Sequence, residues 1–278
     1  MAKRLVGGAA VVLWLGCGLA WAGPDGDEGI LAGPLRLSLS AGLRFGPVHG
    51  FLRIPKGGKP GTTQDRRPKL PELGVAALLA PRFDLGLRWG RLEVHADATL
   101  QRLRGDQVLT APLTTQARTF PGGSRVDADV RLDLYRVGLR CTWSFPLAEG
   151  YALELVPRID FAILRFRYVI SGSGQRADRS FTPANVQLGA DLRLVLPYGF
   201  ALRYGFGFAQ RWRVHSGWPG LLDLELALSH KSSLGPLEVD LELGVAFERI
   251  DFIDSQSYPN RIDLNLGPLL TVGLRIGF

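Results

Sequence analysis

The last seventeen residues alternate. Ile262, Leu264, Leu266, Pro268, Leu270, Val272, Leu274, Ile276 and Phe278 share one parity, and Asp263, Asn265, Gly267, Leu269, Thr271, Gly273, Arg275 and Gly277 share the other. A period of two places successive side chains on opposite faces, which predicts a strand and excludes an amphipathic helix. The same alternation predicts strands over Leu35–Phe45, Leu73–Trp89, Leu92–Leu103, Val126–Phe145, Tyr151–Ile170, Val186–Leu196, Phe200–Trp212, Leu222–His230 and Leu237–Ile250. The apolar parity changes between Leu134 and Tyr135 and again near Ile163, and both changes predict β-bulges.

The connections alternate in length. Trp89–Arg91, Pro146–Gly150, Pro197–Gly199 and Lys231–Pro236 are short turns, whereas Gly46–Glu72, Arg104–Arg125, Ser171–Asn185, Arg213–Leu221 and Asp251–Arg261 read as long loops. A soluble sandwich also alternates, but here every strand carries an apolar face and the opposite faces carry more charge than a sandwich core buries. Trp89, Trp143, Phe145, Tyr151, Tyr198, Phe200 and Phe278 gather at the short-turn end, where an interfacial girdle belongs. The fold class expected is therefore all-β: a transmembrane, up-and-down, antiparallel barrel of ten strands, give or take two.

Composition narrows the picture. At 46% hydrophobic residues the chain is too apolar for disorder, and two cysteines are too few for a disulfide scaffold. The formal charge of +7 is not clustered, so nucleic acid is not an expected partner. A basic start (Lys3, Arg4), an uncharged stretch Leu5–Ala22 and the site Ala20-Trp21-Ala22 predict a secretory signal peptide over residues 1–22. A short linker, 23–34, and the barrel, 35–278, would follow. No later apolar run is long enough for a membrane helix.

Signal peptide, ten alternating segments and a final strand ending in an aromatic residue together resemble bacterial outer-membrane β-barrel proteins. The resemblance implies an outer-membrane location with both termini periplasmic and long loops extracellular. It also implies that Phe278, Ile276 and Leu274, with Val272 and Leu270, are read by the barrel-assembly machinery. Outer-membrane lipid and lipopolysaccharide are then expected neighbours, other envelope proteins are candidate partners, and no cofactor is called for.

With apolar residues facing lipid, charged residues of the other parity are expected inside. The expected lumen network is Arg131, Arg193, Arg203, Arg211 and Arg213 against Asp223, Glu225, Glu238, Asp240 and Glu242. Asp127, Asp129, Asp133, Arg165, Arg167 and Asp263 are expected inside as well. Ten strands enclose little more than side chains, so such a lumen reads as an ion-paired plug, with a narrow solute path as the alternative. The loop bearing Arg53, Lys56, Lys59, Arg66, Arg67 and Lys69 against Asp65 and Glu72 suits lipopolysaccharide phosphates, or is a solvated surface. His49, His95, His215 and His230 show no metal-ligand spacing, and no G-x-S-x-G elbow is present. Asp127, Asp129 and His215 partly resemble omptin proteases, but the Asp-x-His pair of that family is missing. The expected function is non-enzymatic: a structural or partner-binding barrel, with the membrane anchor of a motility, adhesion or secretion assembly as one form of it, a small-solute channel as the alternative and an omptin-like surface protease behind it.

Overall fold

The computed structural model describes residues 31, 33–53, 69–116, 118–211, 217–254 and 259–278. The expected signal peptide and most of the expected linker lie outside the described residues. So do Lys56, Lys59, Arg66 and Arg67 of the basic loop, together with Arg213 and His215.

Fifteen strands build the molecule: β1 (Leu35–Arg53), β2 (Ala77–Trp89), β3 (Leu92–Thr99), β4 (Arg102–Val108), β5 (Leu113–Thr115), β6 (Arg118–Phe120), β7 (Arg125–Cys141), β8 (Trp143–Ala148), β9 (Tyr151–Gly172), β10 (Gln175–Phe181), β11 (Ala184–Val195), β12 (Phe200–Ala209), β13 (Gly220–Leu234), β14 (Leu237–Ile253) and β15 (Arg261–Gly277). Three pairs, β3 with β4, β7 with β8, and β10 with β11, are interrupted single walls, and β5 and β6 form a separate small hairpin. The result is a closed antiparallel barrel of ten walls. Sequence neighbours pair all the way round, and the ring closes where β15 pairs β1, Leu270 opposite Phe45. Closure gives each main-chain N–H and C=O in the ladder a partner, the condition for strands to cross a bilayer. No described helix is long and apolar enough to cross one.

The outer face of the short-turn half is apolar. Leu37, Leu39, Leu43 and Phe45 on β1, Phe83, Leu85 and Leu87 on β2, Tyr204, Phe206 and Phe208 on β12, and Leu241, Leu243 and Val245 on β14 are all exposed. A surface this apolar around a closed ladder is a membrane-spanning belt.

The strands do not stop at the belt. β9 has 22 residues, about twice the 9–11 that a tilted strand needs to cross the hydrocarbon. β9 also pairs β7 in unbroken register from Arg140 opposite Arg158 to Asp127 opposite Ser171. Along this ladder the inward parity is constant while its chemistry reverses. In the belt half, Arg136, Arg140, Arg158 and Asp160 point in; beyond it, Leu132, Leu134, Leu164, Phe166, Tyr168 and Ile170 point in and are buried. The bulges expected near Leu134 and Ile163 are therefore absent. Lipid outside demands polar side chains inside. Water outside allows the reverse, so leaving the membrane inverts the pattern without shifting the ladder.

Besides a slip of β8 against β9 between Pro146 and Ala148, a bulge lies where the pattern looked uniform. The register of β15 slips against both neighbours, between Phe45 and Val48 of β1 and between Ala246 and Glu248 of β14. Gly267, at φ 123°, takes a backbone region that L side chains avoid, at the point of slippage. Ile262, Leu264 and Leu266 consequently point into the barrel, fully buried, while Leu270, Val272 and Leu274 face out. The nine residues that share a parity do not share a face.

The long-loop end is thus largely strand. β9 and β10 meet through a tight turn at Ser173-Gly174, and β4 and β7 run on well past the belt. Inside this extension a second core packs Leu52, Leu73, Leu103, Phe120, Val130, Phe166 and Phe252, with Phe181 stacked on Phe166 at 5.7 Å between ring centroids. Phe166→Ala removes the centre of that core at a cost of about 3–5 kcal/mol. Hydrogen exchange should rise through β9–β10 above Ile163 while the belt strands keep their protection; uniform loss around the whole barrel would show that the two halves do not open separately.

Candidate functional site

The interior of the belt half is the candidate site. Inward positions on nine walls converge on three linked clusters. In the first, Arg44 donates to Glu225 at 2.9 Å and also to Glu248, Gln101 donates to Glu248 at 2.6 Å, and Arg82 reaches Glu225 at 3.2 Å. Arg203 joins it, 3.0 Å from Glu225 and 2.7 Å from Glu242, its Nε and Nη2 forking onto the Glu242 carboxylate. In the second, Asp223 accepts from Arg136 at 3.3 Å, from Arg158 at 2.7 Å and from Gln187, while Arg136 also holds Asp97 at 3.2 Å. In the third, Arg140 bridges Glu93 at 2.9 Å and Asp84 at 3.1 Å. Forked and multiply shared contacts are the strong kind, because each guanidinium satisfies several acceptors in a fixed plane.

Two further groups extend the network. His95 Nε2 lies 2.9 Å from Asp160 Oδ1, with neither side chain exposed. Nearer the short turns, Arg193 reaches Asp240 at 3.3 Å and Arg36 lies 3.8 Å from Glu238.

Exposure falls steadily along the axis. Side-chain exposure is 58% at Arg36, 26% at Arg193, 19% at Arg203 and 3% at Arg136. Among the described residues, the interior is most open at the short-turn end. A cavity of about 180 Å³ there is lined by Arg88, Glu154, Arg193 and Asp240 and, deeper in, by Arg44, Arg136 and Arg158. Above those arginines begins the apolar core of the extension. Salt bridges and then hydrocarbon close the interior in series.

Of the lumen residues expected from sequence, Arg193, Arg203, Asp223, Glu225, Asp240 and Glu242 are partly buried and ion-paired in the belt half, and Glu238 lies at its short-turn mouth, 2.8 Å from Lys231. Arg131 does not: it stands on the outer wall of the extension, 3.7 Å from Asp129. Arg165, Arg167, Asp127, Asp129, Asp133 and Asp263 face outward too, for the same reason: above the belt the charged parity is the wet one. Arg211 lies past the end of β12 and pairs with Asp251 at 2.5 Å, away from the lumen. The strongest centres of the network, Arg44, Arg136 and Arg158, were legible as inward charges but not as hubs, because spacing does not reveal which walls face each other across the axis. Gln101, Gln187 and His95 gave no signal, since a neutral polar residue on an inward parity is unremarkable until its partners are known.

Arg53 and Lys69 flank the basic loop; Phe51 opposite Lys69 bridges its two ends. Phe278, Ile276 and Leu274 close the outer face of β15, where the Phe278 N–H donates to Leu37 O at 2.9 Å. Asp127 lies opposite Ser171 and Asp106 on the outer wall. Among the described residues, no group of three His, Cys, Asp or Glu side chains could hold a metal ion.

On the wet outer wall, Arg125 hydrogen-bonds Asp106 and holds its carboxyl below the usual range; Arg167, at 2.8 Å, does the same for Asp178. At Asp129 burial pushes the other way, but the Arg102 fork at 2.6 Å prevails and the carboxyl is again lowered.

No family model and no curated protein matches the sequence. Among solved structures, the chain is similar to Ail, the attachment invasion locus protein of Yersinia pestis, at 11% identity and TM-score 0.35 over 87% of this chain and 98% of that one. It is similar to the translocator domain of the autotransporter NalP from Neisseria meningitidis at 11% identity and TM-score 0.38, over 99% of this chain and 97% of that one. It is also similar to the outer membrane protease OmpT from Escherichia coli at 11% identity and TM-score 0.35, over 88% and 96%. Overlap this loose assigns neither an activity nor a substrate.

Two outcomes follow. Arg203→Ala strands Glu242 and takes one of three guanidinium partners from Glu225, and should cost about 3–5 kcal/mol, seen as a lower unfolding temperature in detergent, with Glu242→Gln in the same chain restoring part of it; an unchanged temperature would mean that the cluster is hydrated and not structural. At Asp106, Asp129 and Asp178 on the wet wall the folded carboxyl values lie below the unfolded ones. The ion pairs therefore stabilise at neutral pH and are lost as pH falls through the folded values, below about pH 4. Arg125→Gln and Arg167→Gln should abolish that acid-induced loosening of β4 and β10 in hydrogen exchange.

Proposed function

We propose that the protein is a non-enzymatic, integral barrel of the bacterial outer membrane that acts as a structural or partner-binding component. One observation carries this reading: among the described residues, shared ion pairs in the belt and an apolar core above them close the interior beyond a small cavity at the short-turn end. A ten-walled barrel is narrow enough for side chains to fill, and here they do so in two different chemistries. What remains available for recognition is the outside of the extension.

In this reading the short turns and both termini are periplasmic and the extension is extracellular. Phe278, Ile276 and Leu274 present the outward aromatic and apolar residues that assembly machinery reads, and Arg53 and Lys69 bracket a basic loop suited to lipopolysaccharide phosphates. The barrel then serves as the membrane anchor of a trans-envelope assembly for motility, adhesion or secretion. A solute path is the second reading, supported by the cavity that opens at the short-turn end; the apolar core above Arg44 and Arg136 opposes it. A protease reading has little to stand on, because Asp127 and Asp129 face water on the wall and Asp129 is taken up by Arg102.

The test has two arms. Purified protein in planar bilayers should show no steady conductance, and tagged protein drawn from native envelopes in mild detergent should bring specific envelope proteins with it. A steady ion current altered by Arg203→Ala, with no co-purifying protein, would overturn the proposal in favour of the channel.

A further inference from the structure

On one side of the barrel the boundary between belt and extension is marked by arginine. Arg102 of β4 lies opposite Arg131 of β7, and Arg131 lies opposite Arg167 of β9. Neighbouring strands are about 4.8 Å apart, so three guanidinium groups rise from a single row on one face. Like charges in such positions repel; among the described residues two carboxylates pair with them, Asp129, shared by Arg102 and Arg131, and Asp178, shared by Arg167 and Arg176. The three arginine side chains remain 42–43% exposed, so donors are left over.

The height of this row is set by its neighbours. Arg102 is paired with Leu79, an exposed apolar residue of the belt edge. Four residues nearer the short turns, about 13 Å along the strand, Ala98 of β3 sits between Phe83 and Tyr135. Two residues further, Ala96 sits between Leu85 and Val137. Small residues flanked by large ones leave an apolar depression of about 530 Å³ on the lipid-facing wall. Further toward the long-loop end, on β4, β7, β9 and β10, a charged depression of about 640 Å³ is lined by Arg104, Arg131, Arg167 and Arg176 with Asp106, Asp127 and Asp129. An acyl-sized hollow lies in the hydrocarbon zone with an arginine row at the headgroup level above it. A solvated charge run needs no hollow beneath it, and a protein partner would not place its apolar part inside the belt.

We infer that this wall is a binding site for a phosphate-bearing lipid of the leaflet at the long-loop end, with Arg102, Arg131 and Arg167 taking the headgroup phosphates and the Ala96–Ala98 hollow taking an acyl chain. Each cationic side chain at a membrane surface favours an anionic headgroup, and the guanidinium fork matches phosphate oxygens in pairs. Asp129 acts as the internal competitor that holds Arg102 and Arg131 in place until phosphate arrives. The site does not depend on the partner-binding reading, since it needs only the belt and the wall above it.

The experiment is native mass spectrometry of the full chain in non-ionic detergent, titrated with bisphosphorylated lipid A. The R102Q/R131Q/R167Q variant should weaken binding about tenfold or more. Ala98→Leu, which fills the hollow from the lipid side, should weaken it as well. Asp129→Asn, which keeps every arginine and removes the competitor, should tighten it. Equal binding by the wild type and the triple variant, equal binding of dephosphorylated lipid A, or weaker binding by Asp129→Asn would overturn the inference. Displacement of the lipid by equimolar inorganic phosphate would leave an anion site only, and would overturn the lipid assignment too.

Discussion

Everything in this barrel depends on one continuous hydrogen-bonded ladder that passes through two solvents. The ladder has to stay closed, because an unpaired main-chain group in hydrocarbon costs several kcal/mol. Its strands therefore cannot rearrange at the membrane surface. What changes there is the medium outside, and the side chains respond: charge inside and hydrocarbon outside in the belt, the reverse above it. β7 and β9 show this most plainly, with Arg136 and Leu132 on the same inward face of the same strand.

The two interiors are complementary. Arg44, Arg136 and Arg158 end the charged half, and Leu134, Leu164 and Leu266 begin the apolar half. A buried charge is tolerated only when paired and hydrogen-bonded, and the network meets that demand by sharing: Asp223 receives Arg136, Arg158 and Gln187, and Glu225 receives Arg44, Arg82 and Arg203. Removing one member strands several others, so the belt interior behaves as a unit. The apolar half needs no such sharing and packs as a soluble core does. A sealed interior with two independent closures is the physical ground for assigning function to the outer surface, at the arginine row and around the basic loop.

The barrel itself was legible in the sequence, since period two, charged inner parities and alternating turn lengths all describe a closed sheet in lipid. The errors share one cause. Apolar parity was equated with the outer face over the full strand length, an equation that holds only in the belt. It displaced Arg131, Arg167 and Asp129 into the lumen and turned two changes of medium, at Leu134 and Ile163, into bulges. It also hid the real bulge at Gly267, where a slip of the chain cancels the change of medium and the pattern runs on undisturbed. Strand segments such as Gln175–Phe181 looked like loop because their few apolar residues, Ala177 and Phe181, turn inward. The lumen residues of β12 to β14 were readable because those stretches lie in the belt; their partners across the axis were not, because pairing across a barrel is set by tilt and closure, which no local pattern records.

Polarity inverts at constant register, and β9 is the strand on which this can be measured residue by residue. Single cysteines placed in turn from Arg158 to Ile170 would be probed with a membrane-impermeant maleimide on the protein in lipid vesicles. The account predicts reaction at the odd positions Arg165, Arg167 and Val169, with the even positions protected along the whole series. Reaction moving to Leu164, Phe166 and Tyr168 would mean that the strand flips its faces near Ile163, and would contradict the account.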